Sequence, residues 1–361
     1  MTSTSDHGPR SVPEIAQRSL HDASASPREP QVANHMRAVA RDRYGPVSRV
    51  EIRRVPTPAP ARGEVLLEVC AAGVDRGVWH VVTGLPYLMR LTGFGLRRPR
   101  QPVLGMDVAG RVVAVGPGVT RPEVGDAVFG VGNGTFAEYA CARADQLATK
   151  PSRLSFAHAA AAPTSGVTAL QAVHEIGKVR SGQRVLVLGA SGGVGSFAIQ
   201  LARSAGAEVT GVASAAKLDL VRSLGARHVV DYTTADATDG SEQYDVILDI
   251  GGRRRLRHLC RALTRDGTLV IVGGEDGGRW TGGVGRQLRA VALSRWRRQT
   301  LTTFISSATP QRLDRLRTAL AEDLVPAVER TYGLDEARQA LLDLEAGRVR
   351  GKSVIEVRPD R

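Results

Sequence analysis

The stretch "LGASGGVGS" (188–196) decides the fold, because it places four glycines among nine residues directly after the apolar run 185–188. A short apolar run bounded by glycine predicts a buried strand. Phe197, Ile199 and Leu201 give the following segment an apolar face, which predicts a helix packed on a sheet. The order strand, glycine loop, helix is typical of a dinucleotide-binding α/β domain.

The glycines of this loop indicate that a ligand comes close to the backbone. The free N–H groups and the dipole of a helix N-terminus attract a pyrophosphate. Gly189 would allow the tight turn, and Gly192 and Gly193 would let the phosphates reach the backbone. Gly195 would let the helix pack against the sheet. The cofactor-binding candidates of the loop are Gly189, Ser191, Gly192, Gly193, Val194 and Gly195.

The end of the second strand indicates which nicotinamide cofactor is bound. Proteins that bind NAD commonly carry an Asp or Glu about 20 residues past the glycines, where it binds the adenosine ribose. This chain has "ASAAK" (213–217) there, and the next carboxylate is Asp219. Ser214 and Lys217 can instead hydrogen-bond to a 2′-phosphate and neutralise it. The sequence therefore predicts NADPH, with a solvent-exposed Lys217 as the alternative.

The net charge of +13 over 361 residues is carried almost entirely by arginine. A basic balance of this kind is compatible with a nucleic-acid partner. The arginines, however, are spread over the whole chain and form only short clusters, at 97–100, 253–255 and 295–298. We interpret them as solvated faces, so a nucleic-acid partner is not expected.

The cysteines and the apolar segments predict a reducing, aqueous compartment. Cys70, Cys141 and Cys260 are an odd number at wide spacings, without the C-x-x-C pairs of a structural zinc site. No stretch approaches the roughly 18 apolar residues of a membrane span. Residues 1–35 are rich in Ser, Pro and charge and lack the apolar core of a signal peptide, so we expect a disordered tail. Together these features predict a cytoplasmic protein.

Two patterns divide the rest of the chain. Residues 36–157 carry short strand runs separated by Gly and Pro turns, as in a small β-barrel. Residues 158–304 alternate strands with helices, which predicts a parallel sheet covered on both faces. Residues 305–361 end in an apolar strand that is expected to return to the first domain and make it discontinuous.

The Ala-rich stretch 155–177 lies ahead of the glycine loop and has helical character. Pro163 and Gly166 are expected to break it into two helices. This stretch therefore marks the change from the barrel pattern to the strand–helix pattern.

Several motifs of residues 36–361 resemble the medium-chain dehydrogenase/reductase superfamily. They are "AAGVD" (71–75), "GMDVAGRVVAVGPGV" (105–119), "GDAVFG" (125–130), "GTFAEYA" (134–140), "SGVTAL" (165–170) and "GASGGVG" (189–195). The forms of the last motif and of "GTFAEYA" are similar to the branch of quinone oxidoreductases and enone reductases. The resemblance implies a GroES-like β-barrel catalytic domain and a Rossmann domain with a doubly wound parallel sheet.

The resemblance also implies further contacts to the cofactor. In such proteins a tyrosine after the third strand of the sheet touches the 2′-phosphate, and Tyr232 in "VVDY" takes that place. Val272 and Gly273 after the fifth strand, together with Phe304, are implied to line the nicotinamide site. Thr168 is implied to lie nearby.

The zinc-ligand positions of the superfamily are changed in this chain. Zinc alcohol dehydrogenases bind the catalytic metal through a Cys, a His followed by Glu, and a third ligand. The matching positions here are Asp75, Met106 followed by Asp107, and Ala161. Methionine is a poor zinc ligand and alanine is none, so Zn²⁺ would lack its tetrahedral set. Asp75 remains as the catalytic candidate near the substrate, and loop capping by Asp75 is the alternative.

The connection 80–102 takes the place of the four-cysteine lobe of those zinc proteins and is rich in apolar and aromatic residues. The candidates for the lip of a substrate pocket are Leu85, Pro86, Tyr87 and Leu88. A surface loop packed on the barrel is an equally good interpretation.

These expectations combine into a zinc-independent, NADPH-dependent reductase of quinones or α,β-unsaturated carbonyls. Without a Lewis acid, alkoxide chemistry loses its main electrostatic support, whereas the carbonyl of an enone carries the developing charge itself. The alternatives are a metal-free carbonyl or alcohol oxidoreductase, and an NADPH-bound RNA-binding or interaction protein without turnover. The apolar strand at "LTTFIS" (301–306) is expected at a sheet edge, which favours a homodimer.

Overall fold

The computed structural model describes residues 1–3, 32–274 and 278–358. The disordered tail expected over residues 1–35 therefore lies largely outside the described residues. From Asn34 onward the chain forms one compact unit.

The first part of the chain consists of short strands separated by turns, as the spacing of Gly and Pro in residues 36–157 predicts. The strands are β1 (His35–Ala40), β2 (Glu51–Pro56), β3 (Glu64–Val74), β4 (Asp107–Val115), β5 (Ala127–Val131), β6 (Tyr139–Arg143) and β7 (Leu147–Thr149). The helices are α1 (Arg76–Thr83), α2 (Tyr87–Met89) and α3 (Phe156–Ala160). β3 covers the predicted run 64–74, and β4 stops ahead of the Gly-Pro-Gly turn at 116–118.

Strands and helices alternate in the middle of the chain, as predicted. The strands are β8 (Arg184–Leu188), β9 (Glu208–Ala213), β10 (His228–Asp231), β11 (Tyr244–Asp249), β12 (Leu263–Ile271) and β13 (Thr300–Thr303). The helices are α4 (Pro163–Leu170), α5 (Gly193–Ser204), α6 (Leu218–Ser223), α7 (Leu256–Ala262), α8 (Gly278–Thr281) and α9 (Val284–Ser294). The six strands form one parallel sheet in the order β10-β9-β8-β11-β12-β13, so the predicted edge position of β13 is correct.

The last part of the chain returns to the first sheet. It contains α10 (Pro310–Ala321), β14 (Val328–Gly333), α11 (Ala337–Glu345) and β15 (Lys352–Glu356). β15 pairs antiparallel with β3, with Ser353 opposite Val74, and parallel with β14. The resulting sheet has the order β14-β15-β3-β4-β5-β7, and β6 pairs with β3. The predicted return of the final strand is observed, whereas β14 was not predicted.

The predicted helix break at Gly166 is wrong. Pro163 begins α4, because its fixed φ suits the first helical position, and Gly166 lies inside the same helix. A Cβ at Gly166 would lie 2.6 Å from Leu316 Cδ1 of α10. Glycine at this position therefore serves helix–helix packing and not helix termination.

Both faces of the parallel sheet are covered, and β8 shows how. Successive side chains of a strand point to opposite faces. Val185 and Val187 belong to a buried cluster with Phe197 of α5, whereas Leu186 and Leu188 belong to another with Leu259 of α7. The apolar run ahead of the glycine loop is thus buried on both sides, as in other parallel sheets.

None of the helices in the described ranges combines the length and the apolar character needed to cross a bilayer.

A pair of glycine substitutions tests the strand–loop–helix geometry. A Cβ at Gly195 would lie 2.2 Å from the Gly189 carbonyl oxygen, whereas a Cβ at Gly285, also in the first turn of a helix, meets nothing within 4 Å. Gly195→Ala should lower the free energy of unfolding by about 1–3 kcal/mol through overpacking. Gly285→Ala, the control, should leave it unchanged or raise it by up to about 1 kcal/mol. Urea unfolding measures both, and equal values would contradict the close approach at Gly195.

Candidate functional site

The glycine loop joins β8 to α5 in the geometry that suits a phosphate. Gly189 has a φ of +82°, a conformation that favours glycine, so the chain can turn directly after the strand. Gly192 is the N-cap of α5 and offers no side chain to the first-turn N–H groups. These N–H groups have no intrahelical partner and lie at the positive end of the helix dipole. The loop can therefore hold an anion through backbone groups.

The loop is also tied to the barrel sheet. The Gly351 N–H, just ahead of β15, donates a hydrogen bond of 2.7 Å to the Ser191 carbonyl oxygen. A Cβ at Gly193 would lie 2.8 Å from Lys352 Cδ and 2.9 Å from Ser165 Oγ. Val194 packs against the main core beside them. The predicted phosphate loop and the barrel strand β15 are therefore in direct contact.

The structure brings two of the predicted 2′-phosphate residues side by side. β9 and β10 are parallel with Ala213 opposite Asp231, so Ser214 and Tyr232 each follow directly at the strand ends. The Tyr232 N–H donates to the Ala213 carbonyl oxygen at 3.1 Å, and the Tyr232 side chain is exposed. A ligand at the end of β9 can therefore reach both side chains.

Lys217 is less exposed than the sequence suggests. Its Nζ donates hydrogen bonds of 2.7 Å to the carbonyl oxygens of Gly347 and Val349, and burial lowers the pKa of Lys217. An ammonium group has three N–H donors, so one is left beyond these two contacts. Lys217 thus joins the end of β9 to the segment that leads into β15.

The residues implied for the nicotinamide side lie at the ends of β12 and β13. Val272 and Gly273 donate their N–H groups to the Asp249 carbonyl oxygen at 3.0 and 3.2 Å. Phe304 is half-buried against the main core. Thr168 is buried and donates to Ser306 Oγ at 2.8 Å, two residues past Phe304. These segments therefore lie on one side of the site, at the carboxyl ends of neighbouring parallel strands.

One carboxylate oxygen of Asp75 caps a helix, and the other has no hydrogen-bond partner among the described residues. Its Oδ1 accepts the Val78 N–H at 3.0 Å at the start of α1, so the capping alternative is realised. Its Oδ2 is buried and has no hydrogen-bond partner among the described residues. A Cβ at Gly77 would lie 2.8 Å from both Asp75 Oδ1 and Met106 Cε, which places Asp75 beside Met106. A buried carboxylate oxygen without a partner is costly, so a donor from a ligand would be favourable here.

Asp107 and Lys352 form a buried ion pair that the sequence reasoning missed. Asp107 is fully buried, and its Oδ2 lies 3.5 Å from Lys352 Nζ. Its Oδ1 accepts from the N–H and the hydroxyl of Thr164, at 3.0 and 2.5 Å. Burial raises the pKa of Asp107 to about 7, against the opposing charge of Lys352 and with repulsion from Asp75. The only signals in the sequence were an acid after Met106 and a lysine in the last strand.

The zinc-ligand positions do not assemble a ligand set in the described ranges. Ala161 is fully buried and has no donor atom, and Met106 packs against the barrel core. No group of three or more His, Cys, Asp or Glu side chains that could hold a metal ion occurs among the residues that the structure describes.

The predicted lip packs against the segment that follows β12. The ring of Tyr87 lies edge-on to the ring of Trp280, with 5.1 Å between the ring centroids. A Cβ at Gly282 would lie 2.4 Å from Pro86 Cγ. Leu85 and Leu88 flank this contact in the chain. Residues 85–88 thus contact the connection between β12 and β13 of the parallel sheet and do not pack on the barrel alone.

Comparisons with known proteins agree with this architecture. Residues 61–152 match the family model "Alcohol dehydrogenase GroES-like domain", and residues 224–355 match "Zinc-binding dehydrogenase". The tomato (Solanum lycopersicum) 2-methylene-furan-3-one reductase is 30% identical over 91% of this chain and 81% of its own length. The mouse (Mus musculus) mitochondrial NAD(P)H oxidoreductase RTN4IP1 is 34% identical over 70% of each chain. The solved quinone oxidoreductase of Coxiella burnetii has a TM-score of 0.79 and 28% identity, covering 90% of this chain and 100% of its own.

The chain belongs to the medium-chain dehydrogenase/reductase superfamily, in the branch of quinone oxidoreductases and enone reductases, and the resemblance stated from its motifs is confirmed. A nicotinamide cofactor follows from this membership and from the glycine loop.

The Asp107 pair predicts an unusual pH dependence of stability. Because burial raises the pKa of Asp107 to about 7, the folded protein binds more protons than the unfolded chain between roughly pH 4 and pH 7. Asp107 therefore stabilises the fold below this window, and that contribution is lost as the pH rises through it. Asp107→Asn cannot titrate, so the free energy of unfolding of the wild type relative to this variant should fall from pH 4 to pH 7.

Urea unfolding across this pH range measures the difference. Asp266→Asn is the control, because Arg298 lowers the pKa of the exposed Asp266 and its contribution is instead lost on acidification. Parallel pH profiles for the wild type and Asp107→Asn would contradict the raised pKa of Asp107.

Proposed function

We propose that the protein is an NADPH-dependent reductase of quinones or α,β-unsaturated carbonyl compounds that works without zinc. The observation that carries the proposal is the contact between the glycine loop and β15, which sets a phosphate-binding helix N-terminus beside a buried carboxylate and lysine. The related quinone oxidoreductase and furanone reductase support the same class of reaction.

The reduced nicotinamide supplies a hydride when the cofactor is bound. The role of the chain is to bind the dinucleotide through the loop N–H groups and to fix the substrate beside Val272, Gly273, Thr168 and Phe304. In an electron-poor C=C or quinone the substrate oxygen carries the developing negative charge, so a positioned donor suffices. The free Oδ2 of Asp75 can accept a hydrogen bond from a water or a substrate hydroxyl, and this water can deliver the proton.

The buried Asp107–Lys352 pair supports this site electrostatically. Removing one partner of a buried ion pair leaves an uncompensated charge, so the pair is strongly held once formed. Lys352 passes beside Gly193, and its positive charge favours both the phosphates of the cofactor and an enolate near them.

Three further features complete the proposal. β13 lies at the edge of the sheet and, within the described residues, has no strand on its outer side, which supports a homodimer through this edge. Cys70, Cys141 and Cys260 are buried and not joined in disulfides, which supports a reducing compartment such as the cytoplasm. The partner proposed for the site itself is a small molecule and not a nucleic acid.

The reaction and its metal independence can be tested together. We expect NADPH to be consumed with at least one member of a panel of quinones and enones, and more slowly with simple aldehydes; NADP⁺ should not be reduced at a comparable rate by simple alcohols. The rate should be unchanged in strong chelator, because the positions of Asp75, Met106 and Ala161 lack the zinc ligand set. Elemental analysis should find no stoichiometric zinc. About one zinc per chain, or activity restricted to alcohols and aldehydes, would overturn the proposal.

The choice of NADPH over NADH is a separate prediction. A charge-assisted contact to a phosphate contributes about 1.5–3 kcal/mol, so NADPH should bind at least about tenfold more tightly than NADH. Lys217→Ala should weaken NADPH and leave NADH nearly unchanged, because only the 2′-phosphate distinguishes the two. Ser214→Asp should favour NADH, because the new carboxylate repels the phosphate and accepts from the ribose.

Fluorescence titration gives the two dissociation constants for each protein. A loss shared equally by both cofactors in Lys217→Ala would mean that Lys217 acts only through its bonds to Gly347 and Val349. That result would contradict the assignment of Lys217 to the phosphate.

A further inference from the structure

A cavity of about 660 Å³ opens at the carboxyl end of β11, between the loop after this strand and the start of α9. Its lining is dominated by six arginines: Arg253, Arg254, Arg255, Arg257, Arg286 and Arg289. We call this cavity the arginine pocket. The first three arginines form the cluster 253–255 that the sequence alone suggests is a solvated face, Arg257 lies in the first turn of α7, and the last two come from α9.

The positive charge of the arginine pocket is only partly compensated. Asp249 pairs with Arg286, and Asp236 lies 3.2 Å from Arg254. Arg253 also has an interaction of its own. Within the parts of the chain that the structure describes, no carboxylate pairs with the remaining three lining arginines, Arg255, Arg257 and Arg289. Guanidinium groups collected on the walls of one cavity repel each other and attract an anion.

The guanidinium group of Arg286 is fixed by two contacts, and one of its terminal nitrogens has no hydrogen-bond partner among the described residues. Its Nε donates to the Arg254 carbonyl oxygen at 3.1 Å, and one terminal nitrogen pairs with the buried Asp249. The other terminal nitrogen is buried and has no hydrogen-bond partner among the described residues. An unsatisfied buried donor on a charged group is costly, and a ligand oxygen would remove that cost. Arg286, one of the residues that line the pocket, therefore retains an unpaired donor.

The size and the donors of the arginine pocket favour several phosphate groups rather than one. Guanidinium groups match phosphate oxygens in a bidentate way, and here they come from two walls. The cavity volume falls in the range of pockets that hold nucleotide-sized ligands. A single inorganic anion would leave most of this space empty.

The wall of the arginine pocket adjoins the nicotinamide side of the site. A Cβ at Gly283, which lines the pocket, would lie 2.8 Å from Gly274 Cα. Gly274 follows Val272 and Gly273, the residues assigned to the nicotinamide. Ser214 and Tyr232, assigned to the 2′-phosphate, lie instead at the ends of β9 and β10. The pocket thus lies where the phosphorylated end of a substrate can be held while its other end reaches the reaction centre.

We propose, as a refinement that rests on the function proposed above, that the arginine pocket binds the phosphates of an enoyl thioester of coenzyme A. The flexible pantetheine arm joins these phosphates to the thioester. Hydride adds to the β-carbon, the C=C π bond breaks, and the resulting thioester enolate takes one proton from water at the α-carbon. The thioester gains two electrons and two hydrogens in all, and NADPH is oxidised to NADP⁺.

The first experiment compares crotonyl coenzyme A with crotonyl N-acetylcysteamine, which carries the same α,β-unsaturated thioester without phosphates. Arg257→Ser/Arg289→Ser should raise the KM for the coenzyme A ester by about tenfold or more, with little change in kcat or in either constant for the short thioester. Arg295→Ser/Arg297→Ser, exposed arginines outside the pocket, is the matched control and should change neither. An equal effect of both double variants would overturn the proposal.

A second experiment needs no turnover and so separates this proposal from the proposed function. Isothermal titration of coenzyme A into protein saturated with NADP⁺ should show binding that Arg257→Ser/Arg289→Ser removes. Absence of such binding, or an equal loss of NADPH affinity in the variant, would overturn a separate site. If inorganic tripolyphosphate binds as tightly as coenzyme A and both thioesters have the same KM, the ligand is a free polyphosphate and the substrate assignment is overturned.

Discussion

The hydrogen bond from the Gly351 N–H to the Ser191 carbonyl oxygen fixes the barrel sheet to the glycine loop, and the rest of the site depends on it. Gly351 directly precedes β15, so this bond determines where the side chain of Lys352 begins. Lys352 then runs beside Gly193 to the buried carboxylate of Asp107. The glycine loop, Lys352 and Asp107 are therefore packed together as one unit, although they come from three distant parts of the chain.

The electrostatics of this unit show how its buried acids are held. The charges of Asp75 and Asp107 are close enough to repel each other, and burial raises the pKa of Asp107 further. Lys352 offsets this on one side, and the Thr164 N–H and hydroxyl offset it on the other. The Lys352 ammonium group lies against Asp107 alone, and a carboxylate oxygen of Asp75 has no hydrogen-bond partner among the described residues.

The local parts of this structure could be predicted from the sequence. The turn after β8, the bounds of β3 and the edge position of β13 follow from glycine spacing and apolar runs, which act over a few residues. The predictions failed where distant residues decide. Gly166 stays inside α4 because Leu316 packs on it, and nothing in the Ala-rich stretch around Gly166 reveals that contact.

The same limit explains what was missed at the site. Asp107 and Lys352 lie 245 residues apart, so neither could be paired from spacing. From the sequence, the arginines at 253–255 form only a short cluster of the kind found on solvated faces. The sequence cannot reveal the pocket, because α9 brings Arg286 and Arg289 to this cluster only in three dimensions. Asp75 was identified through its place in a motif, and the structure adds that one of its oxygens is occupied by a helix cap.

The pairing of β15 with β3 has a consequence for how the protein is made on the ribosome. Val74 of β3 cannot pair with Ser353 until β15 has been synthesised, and all strands of the parallel sheet are made between them. Throughout that time residues 71–74 of β3 are without their partner strand, although β6 can already pair with residues 64–68. An unpaired strand segment can bind another chain. The parallel sheet, whose strands follow one another at short intervals, can form meanwhile. The nascent chain is therefore expected to assemble its nucleotide-binding half first and to close its barrel last.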